Sequence, residues 1–575
     1  MAVHNADIAA VFDEIADLLE LQNANPFRIR AYRNAARVVG ELRFDVAARL
    51  AEGRELPKLP GIGEDLAGKM REIAARGTCA LLERLRSKLP PGITDLLRIP
   101  GLGPKRVQAL HGELGIGTLA ELQRAARDGS LRTLTGFGER TERRVLDAVS
   151  AHLSKSRRFK LAIAAQYAEP YAEYLRKSPA AAAVVIAGSY RRARETVGDL
   201  DFLATATQTE RVIERFTAYS EVREIFASGG TKASVRLACG IQADLRVVPP
   251  ESFGAALHYF TGSKSHNIAV RKLAQERGLK INEYGVFRGA KRLAGDTEES
   301  VYATVGLPWI ACELREDQGE IEAARRGVLP RLVELGDLRG DLHAHTRATD
   351  GRNTLREMAF AAKARGLQYL GITEHSQRET MARGLNAVRL AKQIDEIDRL
   401  NAELQGITLL KGIEVDVLED GTLDLPDSIL ARLELVVAAV HSRFNLPRAR
   451  QTERILRALE NPLVRMLAHP SGRLIDERDP YDVDMQAVIR KARGRNVCLE
   501  LNAHPDRLDL TDVHCRMAKD EGVLVSINSD AHAVEGFDVL VHGVGQARRG
   551  WLEKVDVLNT RPLSEVRRLL GRKQS

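Results

Sequence analysis

Cysteine is scarce in this chain of 575 residues, and long apolar runs are missing. The five cysteines have no paired spacing, which is typical of free thiols in a reducing compartment. No stretch is long and apolar enough to span a membrane. Residues 1–21 mix acidic side chains into an amphipathic pattern, whereas a signal peptide needs a basic start and an uninterrupted apolar stretch. The sequence therefore predicts a cytoplasmic protein without a membrane partner.

Composition and charge suggest several domains and a polyanionic ligand. Hydrophobic residues make up 44% and charged residues 29%, as in ordinary globular proteins, and the length exceeds what one core can hold. Residues 1–335 contain 50 Lys and Arg against 42 Asp and Glu, and residues 336–575 contain 36 of each. The basic excess favours a front part that binds a polyanion and a tail that processes it. A merely solvated basic surface is the alternative.

Three Gly-x-Gly turns interrupt the helical pattern of residues 1–150. They occur in LPGIGEDLAGKM (59–70), IPGLGPKRVQAL (99–110) and LTGFGERTERRVL (134–146), each between an apolar lead and a new helix. Glycine permits close backbone approach, and a helix start favours a phosphate. A single such turn is more often a plain interhelical turn, but three together resemble helix-hairpin-helix motifs, which hold the DNA backbone without reading bases. The predicted DNA contacts are Gly61, Gly63, Lys69, Gly101, Gly103, Lys105, Gly136 and Gly138.

A β-rich region follows, with apolar runs at 181–189, 199–206, 233–240 and 241–250. Asp199 and Asp201 alternate on one run, so both carboxylates project to the same side, which is costly unless cations lie between them. Asp244 on another run offers a third carboxylate, and the three could bind two magnesium ions. Ser189, nearby backbone N–H groups and Arg192 would then meet nucleotide phosphates. An Asp-x-Asp pair alone is usually a surface turn or a strand end.

The stretch GSYRRARETVGDLD (188–201), together with YFTGSKSHNIAVRKLA (259–274) and INEYG (281–285), resembles the family X DNA polymerases. The resemblance implies DNA and dNTP substrates, with Mg²⁺ or Mn²⁺ bound by the three aspartates. It further implies that Asn267 touches the incoming nucleotide and that Arg271 lies near the template. For Tyr259 and Phe260, core packing is the alternative. The implied nucleotide-binding residues are Gly188, Ser189, Arg192, Gly198, Tyr259, Phe260, Gly262, Asn267 and Arg271.

Two departures from the family pattern bear on activity. Lys69 occupies the position of a lysine that forms a Schiff base with abasic-site sugar in family members, but Asp65 stands where a basic residue would help, and Phe27 and Arg28 replace the expected lysine and histidine. An acidic neighbour keeps an amine protonated and repels phosphate. Abasic-site lyase or endonuclease activity is therefore a possibility that competes with a plain DNA contact by Lys69. At Gln242 the family often has arginine, so catalytic efficiency is expected to suffer.

In the tail, short apolar runs alternate with helical segments and end in polar residues, the pattern of a (β/α) barrel whose functional residues converge on one face. Histidines and carboxylates without cysteine suit manganese, zinc or iron. The set resembles the PHP (polymerase and histidinol phosphatase) family, which implies up to three ions, Mn²⁺ or Zn²⁺, in a distorted (β/α)7 barrel. Glu374 stands where that family often has Asp, beside the ligands. The nine predicted ligands are His343, His345, Asp350, His375, Glu414, His441, His469, Asp530 and His532.

The expected architecture is multidomain: an α/β nucleotidyltransferase palm and thumb behind helical helix-hairpin-helix domains, followed by a PHP barrel. The resemblance implies a bacterial, nucleoid-associated and monomeric DNA polymerase that fills gaps in repair, with a 3′→5′ exonuclease in the tail. One alternative makes the tail a phosphoesterase or pyrophosphatase; another makes the chain a DNA-end-binding scaffold with weak catalysis. The expected domains are 1–80 (lyase-like helical), 81–150 (fingers-like helical), 151–255 (palm), 256–315 (thumb), 316–335 (linker) and 336–575 (PHP).

Overall fold

The computed structural model describes residues 3–40, 42, 44–57, 59, 61–90, 92–97, 99, 102–154 and 158–571. Within these ranges the chain forms a helical N-terminal part, a five-stranded mixed sheet, a small three-stranded sheet and a C-terminal parallel barrel. Each described helix falls short of the length and apolarity that a membrane crossing requires.

The N-terminal part is helical, as its periodicity predicts. Helix α1 buries Ile8, Phe12 and Ile15, which the 3.6-residue period places on one face. One hydrophobic cluster extends from Val3 to Val149, so the expected boundary at residue 80 falls within a shared core. The helices are α1 (Asn5–Leu21), α2 (Pro26–Gly40), α3 (Val46–Ala51), α4 (Glu64–Arg76), α5 (Ala80–Arg86), α6 (Ile93–Leu97), α7 (Pro104–Leu114), α8 (Leu119–Arg127) and α9 (Glu139–Ser154).

The middle part is built on a five-stranded sheet. Its elements are β1 (Phe159–Lys160), α10 (Leu161–Arg176), β2 (Ala181–Ile186), α11 (Gly188–Arg191), β3 (Thr196–Val197), β4 (Asp199–Ala206), α12 (Thr209–Thr217), β5 (Val222–Gly229), β6 (Lys232–Leu237) and β7 (Gln242–Val247). The sheet order is β2-β4-β7-β6-β5, in which β4 and β7 are parallel and the other pairs antiparallel. Leu200, Phe202 and Ala204 enter the core from one face of β4, so Asp199 and Asp201 lie on the opposite face.

A smaller unit follows and packs on its own core, with the antiparallel sheet order β10-β9-β8. It is the thumb of the expected architecture. Helices α13 and α14 meet at Gly262, which has a φ of 68° that suits glycine. The elements are α13 (Phe253–Thr261), α14 (Lys264–Glu276), β8 (Lys280–Asn282), β9 (Gly285–Arg288), β10 (Lys291–Ala294), α15 (Glu298–Thr304) and α16 (Glu320–Arg325).

The charged segment 316–335, expected to be a linker, is folded against this unit and includes α16. Arg315 and Glu320 are fully buried at its start. Arg315 Nη1 donates to Glu298 Oε1 at 2.6 Å, and Glu320 Oε1 lies 2.6 Å from His266 Nδ1. Paired charges can enter a core where single charges cannot. This polar segment is therefore packed rather than extended, because its charged residues pair with residues elsewhere in the chain.

The C-terminal part is a barrel of seven parallel strands in consecutive order, as the strand and helix alternation predicts. Its last and first strands approach each other: Ala344 forms a parallel bridge with Ala531, and His345 N donates to Ala531 O at 2.8 Å. The strands are β11 (Gly340–Ala344), β12 (Tyr369–Ile372), β13 (Thr408–Asp416), β14 (Leu435–Ala439), β15 (Met466–Leu467), β16 (Cys498–Asn502) and β17 (Val525–Asn528). The helices are α17 (Leu355–Ala364), α18 (Ala387–Glu403), α19 (Asp427–Leu430), α20 (Arg448–Ala458), α21 (Met485–Arg495), α22 (Asp512–Asp520), α23 (Leu540–Arg549) and α24 (Leu563–Leu570).

Candidate active sites

The three predicted carboxylates of the palm lie on neighbouring parallel strands. Asp201 on β4 is in register with Asp244 on β7, and Asp199 is in register with Gln242. Side chains at these alternating positions share one face of the sheet. Gly188 lies in close contact with this face: a Cβ built on Gly188 would clash with Asp201 Oδ2. The backbone at the start of α11 therefore lies directly beside the carboxylates.

Electrostatics at this face favour a cation. Burial, together with Asp199 and Asp244, raises the pKa of Asp201 to about 7. Burial and Asp244 also raise the pKa of Asp199. Clustered carboxylates destabilise one another's ionised form, and a divalent cation bound between them removes this repulsion. Carboxylate oxygens are suitable ligands for Mg²⁺ or Mn²⁺. The donor set therefore fits the expected ions.

The predicted phosphate-binding residues cluster where the palm meets the thumb. Arg192 Nη1 donates to Thr261 O, and Arg192 Nε donates to Glu316 Oε1 at 3.1 Å. A Cβ on Gly262 would lie 3.2 Å from Arg192 Nη1, so glycine leaves room for the guanidinium. Ser189 is half-buried within α11. At Gly198 the neighbour is Arg158, whose Nη1 would lie 3.3 Å from an added Cβ.

The predicted nucleotide-pocket residues of the thumb are tied to one another. Asn267 Nδ2 donates to Tyr259 O at 2.7 Å, and Arg271 Nε donates to Asn267 O at 3.2 Å. The Phe260 ring lies 5.2 Å from the Tyr259 ring and 5.6 Å from the Arg246 guanidinium, which projects from the same strand as Asp244. Asn267 Oδ1 is buried without a hydrogen bond. Phe260 thus lies beside the carboxylate-bearing sheet, and hydrogen bonds and ring contacts connect the other residues to it.

The three Gly-x-Gly turns lead into helices as predicted. Gly63 and Gly103 are the N-caps of α4 and α7, and the backbone O of Gly138 accepts from the first turn of α9. Gly61 and Gly136 have φ values of 74° and 86°. Gly101 lies outside the described residues.

Both predicted basic contacts are on these helices. Lys105 is exposed on α7, and Lys69 on α4 pairs with Asp65. The expected acidic neighbour of the Lys69 amine is therefore in direct contact with it.

The predicted barrel ligands converge at the carboxyl ends of the strands, with Glu414 at the centre. Glu414 Oε1 lies 2.9 Å from His469 Nε2 and 3.1 Å from His441 Nε2. Glu414 Oε2 lies 2.8 Å from His375 Nδ1, and it lies 3.5 and 3.6 Å from the Nε2 atoms of His343 and His345. A single buried carboxylate thus faces five imidazoles.

Two further carboxylates complete the arrangement. Asp530 Oδ1 lies 3.1 Å from His345 Nε2, and Asp350 Oδ2 lies 3.3 Å from His532 Nε2. Potential ligand atoms lie within 4.8 Å of one another in three sets drawn from the nine residues. These sets are His345, Asp350, His375 and His532; His343, His345 and Asp530; and His375, Glu414 and His441. Another set, Glu379, Asp416 and His441, extends the last one outward.

Unpaired buried atoms in the barrel fit bound metal ions. Both ring nitrogens of His345, Nε2 of His343 and Oε2 of Glu414 are buried without a hydrogen bond. Burial, with His532 and His375, lowers the pKa of His345 to about 3, so its imidazole is neutral, as a metal ligand must be. Although burial opposes it, the surrounding histidines hold the pKa of Glu414 well below its usual range. The donors match the expected Mn²⁺ or Zn²⁺.

Comparison with known proteins identifies the family of the chain. Family profiles match residues 3–79 (helix-hairpin-helix domain), 93–150 (SAM-like helix-hairpin-helix tandem), 256–316 (DNA polymerase beta thumb) and 341–504 (PHP domain). The chain is 40% identical over 574 residues, 99% of its length and 100% of the relative, to the "DNA polymerase/3′-5′ exonuclease PolX" of Bacillus subtilis (strain 168). The chain belongs to the PolX family. The chain is also 30% identical over 210 residues (35% of the chain, 80% of the relative) to a "probable phosphatase" of Thermoanaerobacter sp. (strain X514), and 30% identical over 201 residues (33% and 78%) to one of Acetivibrio thermocellus.

The PolX barrel contains buried polar partners that sequence reasoning missed. Glu500 Oε1 lies 2.6 Å from His343 Nδ1, and its Oε2 accepts from His469 N at 2.8 Å. Asn502 Nδ2 donates to Asp530 Oδ2 at 3.0 Å, and Asp416 Oδ1 lies 3.4 Å from His441 Nδ1. A signal existed, because Asp416 lies two residues from Glu414, and Glu500 and Asn502 alternate on β16. Alternation brings such pairs to one face of a strand.

Glu374 stabilises the loop beside the predicted ligands through hydrogen bonds. Its fully buried carboxylate accepts from Thr346 N at 3.1 Å and Gln393 Nε2 at 2.9 Å, and from the hydroxyls of Thr346 and Thr349. These bonds hold the turn that leads to Asp350. Glu374, which stands where the PHP family often has Asp, therefore stabilises the loop that carries the predicted ligand Asp350.

Glu500→Gln is expected to weaken metal binding by about 10- to 100-fold, because partners that orient a ligating histidine typically contribute that much. Exonuclease activity should then need more Mn²⁺ but recover at saturation. A Mn²⁺ titration of exonuclease rate measures the shift. Glu521→Gln, which alters an exposed ion pair with Arg490, is the control. An unchanged Mn²⁺ dependence in Glu500→Gln would contradict the role.

Proposed function

We propose that this PolX chain is a DNA polymerase that fills gaps during repair and a 3′→5′ exonuclease that trims the same primer ends. The observation that carries the proposal is the presence of two separate centres on one chain whose full length resembles a PolX protein. The carboxylates of β4 and β7 form the first centre, and the histidine-rich end of the barrel forms the second. The helix-hairpin-helix turns supply sequence-independent binding to gapped or primer-template DNA.

In the polymerase centre, Asp199, Asp201 and Asp244 would hold Mg²⁺ or Mn²⁺, which when bound neutralises charge on the attacking hydroxyl and the leaving pyrophosphate. Arg192 and the backbone at Gly188 and Ser189 receive the triphosphate. Two of the Arg192 nitrogens are engaged by Thr261 and Glu316; among the described residues, no hydrogen bond is made by Nη2. That nitrogen is available to a phosphate.

In the barrel, the nine predicted ligands would hold up to three ions, Mn²⁺ or Zn²⁺, which when bound supply water activation and charge for the scissile phosphate. Burial and neighbouring histidines lower the pKa of His345 to about 3. Although burial opposes it, nearby carboxylates raise the pKa of His343 and His375 and bring that of His441 to about 9, so metal binding must displace protons from these three imidazoles. Glu500 orients His343 through its second ring nitrogen, and Asp416 Oδ1 accepts from the backbone N of His441 at 3.3 Å. The chain thus prepares the site chiefly by holding its ligands in place.

A second candidate for the barrel is a phosphoesterase or pyrophosphatase that acts on small phosphate esters. The similarity to proteins named probable phosphatases favours it. The same ligand set serves both substrates, so the product must decide.

The test uses a gapped duplex labelled at the primer 5′ end, with Mn²⁺, with and without dNTPs. We expect Asp199→Ala/Asp201→Ala to lose only extension, and His343→Ala/His345→Ala to lose only shortening. Release of nucleoside monophosphate supports the exonuclease, whereas inorganic phosphate from small esters without primer shortening supports the phosphatase. If the wild-type chain incorporates no nucleotide with Mg²⁺ or Mn²⁺, the alternative function as a DNA-end-binding scaffold is favoured.

We propose that Lys69 contacts the DNA backbone rather than forming a Schiff base. It borders a cavity of about 380 Å³ that Glu64, Asp65 and Glu72 also line, and its amine is paired with Asp65 rather than free to attack a sugar. Lys69→Ala should reduce the slope of log affinity against log salt by about one. Borohydride trapping on DNA with a 5′ abasic sugar should give no adduct. A wild-type adduct that disappears in Lys69→Ala would establish lyase chemistry instead.

We further propose that the chain acts as a monomer near bacterial DNA. A gapped substrate and a sequence-independent grip require no second copy. Light scattering of the free chain and of its DNA complex tests the monomer.

A further inference from the structure

Helix α23 of the barrel packs against the turn that carries Arg192. Gly545 and Arg549 lie four residues apart and therefore on one face of this helix. A Cβ on Gly545 would lie 3.2 Å from the Cβ of Ala193, so glycine allows the two backbones to approach closely. The Arg549 side chain is only 2% exposed. A barrel helix thus forms part of the support beneath the predicted triphosphate-binding loop.

The Arg549 guanidinium joins the two parts of the chain. Nη1 donates to the backbone O of Arg192 at 3.2 Å and to Glu316 Oε1 at 2.9 Å. Nη2 donates to Asp512 Oδ2 at 2.6 Å, which anchors the fork on α22 of the barrel. Arginine suits this role because its planar fork reaches several acceptors in fixed geometry.

Glu316 is shared between Arg549 and Arg192. The same Oε1 atom accepts from Arg192 Nε at 3.1 Å and from Arg549 Nη1 at 2.9 Å. Without Arg549, the charge of Glu316 would be compensated mainly by Arg192. A carboxylate bound more tightly to Arg192 competes with an incoming phosphate. Loss of the bond to the Arg192 carbonyl would also release the turn.

We propose that Arg549 is a positioning residue for nucleotide binding: it holds Arg192 and shares Glu316, so the barrel helps the polymerase centre bind dNTP. The proposal rests on the proposed role of Arg192 at the triphosphate. It adds that the exonuclease domain contributes to nucleotide affinity without touching the nucleotide. Removal of Arg549 has two effects, and both weaken dNTP binding. The turn that carries Arg192 loses a hydrogen bond, and Glu316 pairs more tightly with the Arg192 guanidinium.

The test is single-turnover incorporation on a one-nucleotide gap, which separates the dNTP dissociation constant from the maximal rate. Arg549→Met is expected to raise that constant about tenfold, because displacement of a positioning contact remote from the chemistry costs up to 10²-fold. The maximal rate and the exonuclease rate should change little. Arg549→Lys, which keeps the charge but loses the fork, should fall between. Gly545→Ala should also weaken dNTP binding, by pushing on Ala193.

A double-mutant cycle distinguishes positioning from general damage. Arg549→Met should add nothing to Arg192→Ala, because its effect passes through Arg192. The control is Arg490→Met on α21, whose exposed partner Glu521 lies in the barrel part of the chain. Thermal unfolding of each variant checks folding.

An unchanged dNTP dissociation constant in both Arg549→Lys and Arg549→Met, or an effect that multiplies with Arg192→Ala, would overturn the proposal. Failure of the proposed function looks different. In that case Arg192→Ala itself, or the wild type, would lack a dNTP effect.

Discussion

Asp201→Asn is expected to reduce nucleotide incorporation by at least about a thousandfold while leaving the exonuclease intact. The substitution keeps the side-chain shape beside Gly188 but removes one of three clustered charges. Because burial and the two neighbouring aspartates raise the pKa of Asp201 to about 7, the metal-free protein should not lose stability and could gain some. Loss of activity without loss of stability is the mark of a metal-binding carboxylate. Single-turnover incorporation and thermal unfolding measure the two quantities.

Glu210→Gln, an equal loss of charge at an exposed position on α12, is the control and should incorporate nucleotide at the wild-type rate. If Asp201→Asn extends primers within about tenfold of wild type at saturating Mg²⁺, the carboxylate is not a metal ligand. A parallel fall in exonuclease rate would instead indicate damage to the whole chain.

Glu414→Gln is expected to abolish primer shortening, by at least about a thousandfold, and to lower bound metal. Glu414 faces five of the histidines, and glutamine removes the negative charge that lies among these imidazoles. Elemental analysis gives metal content, and a 5′-labelled primer gives the rate. Chelation of the wild type should remove the same activity, and Mn²⁺ should restore it.

Addition of Mn²⁺ should not restore Glu414→Gln, which separates a lost ligand from a lost ion. Glu419→Gln, at a nearby exposed carboxylate that pairs with Arg443 and Arg450, serves as the control and should keep the wild-type rate. Shortening by Glu414→Gln at a rate near wild type would place the exonuclease outside the barrel. Primer extension should be unchanged in both variants.

The two centres share a chain but are not mechanically independent. Arg473 Nη2 donates to Glu195 Oε2 at 2.7 Å, and Lys160 Nζ donates to Asp506 Oδ1 at 2.6 Å, so the barrel loops after β15 and after β16 both contact the palm. Arg473 and Arg549 thus join the barrel to the segment between β2 and β4, and Asp506 joins it to β1. Variants at this interface should therefore be scored for both activities.

The strand-end residues of the barrel could be predicted because a local rule governs them. In a parallel barrel, the carboxyl ends of all strands meet at one face, so a polar residue that closes each apolar run identifies the site. Asp199 and Asp201 were visible for a similar reason, since alternation on one strand brings them together. The register that sets Asp201 beside Asp244 needed the sheet order, which no local pattern contains.

Other features had no local signature. The segment 316–335 looked like a polar spacer because its charged residues find partners only after folding, as Glu320 does at His266.

The sequence by itself thus determined the family resemblance, the helical front, the parallel barrel and the residue types of both centres, because periodicity and short spacings encode them. Only the tertiary structure decided which charged residues support those centres. Arg549 and Glu316 are 233 residues apart. A contact between residues so far apart produces no periodic pattern in the sequence, because it forms only when two separately folded units pack together and bury the pair.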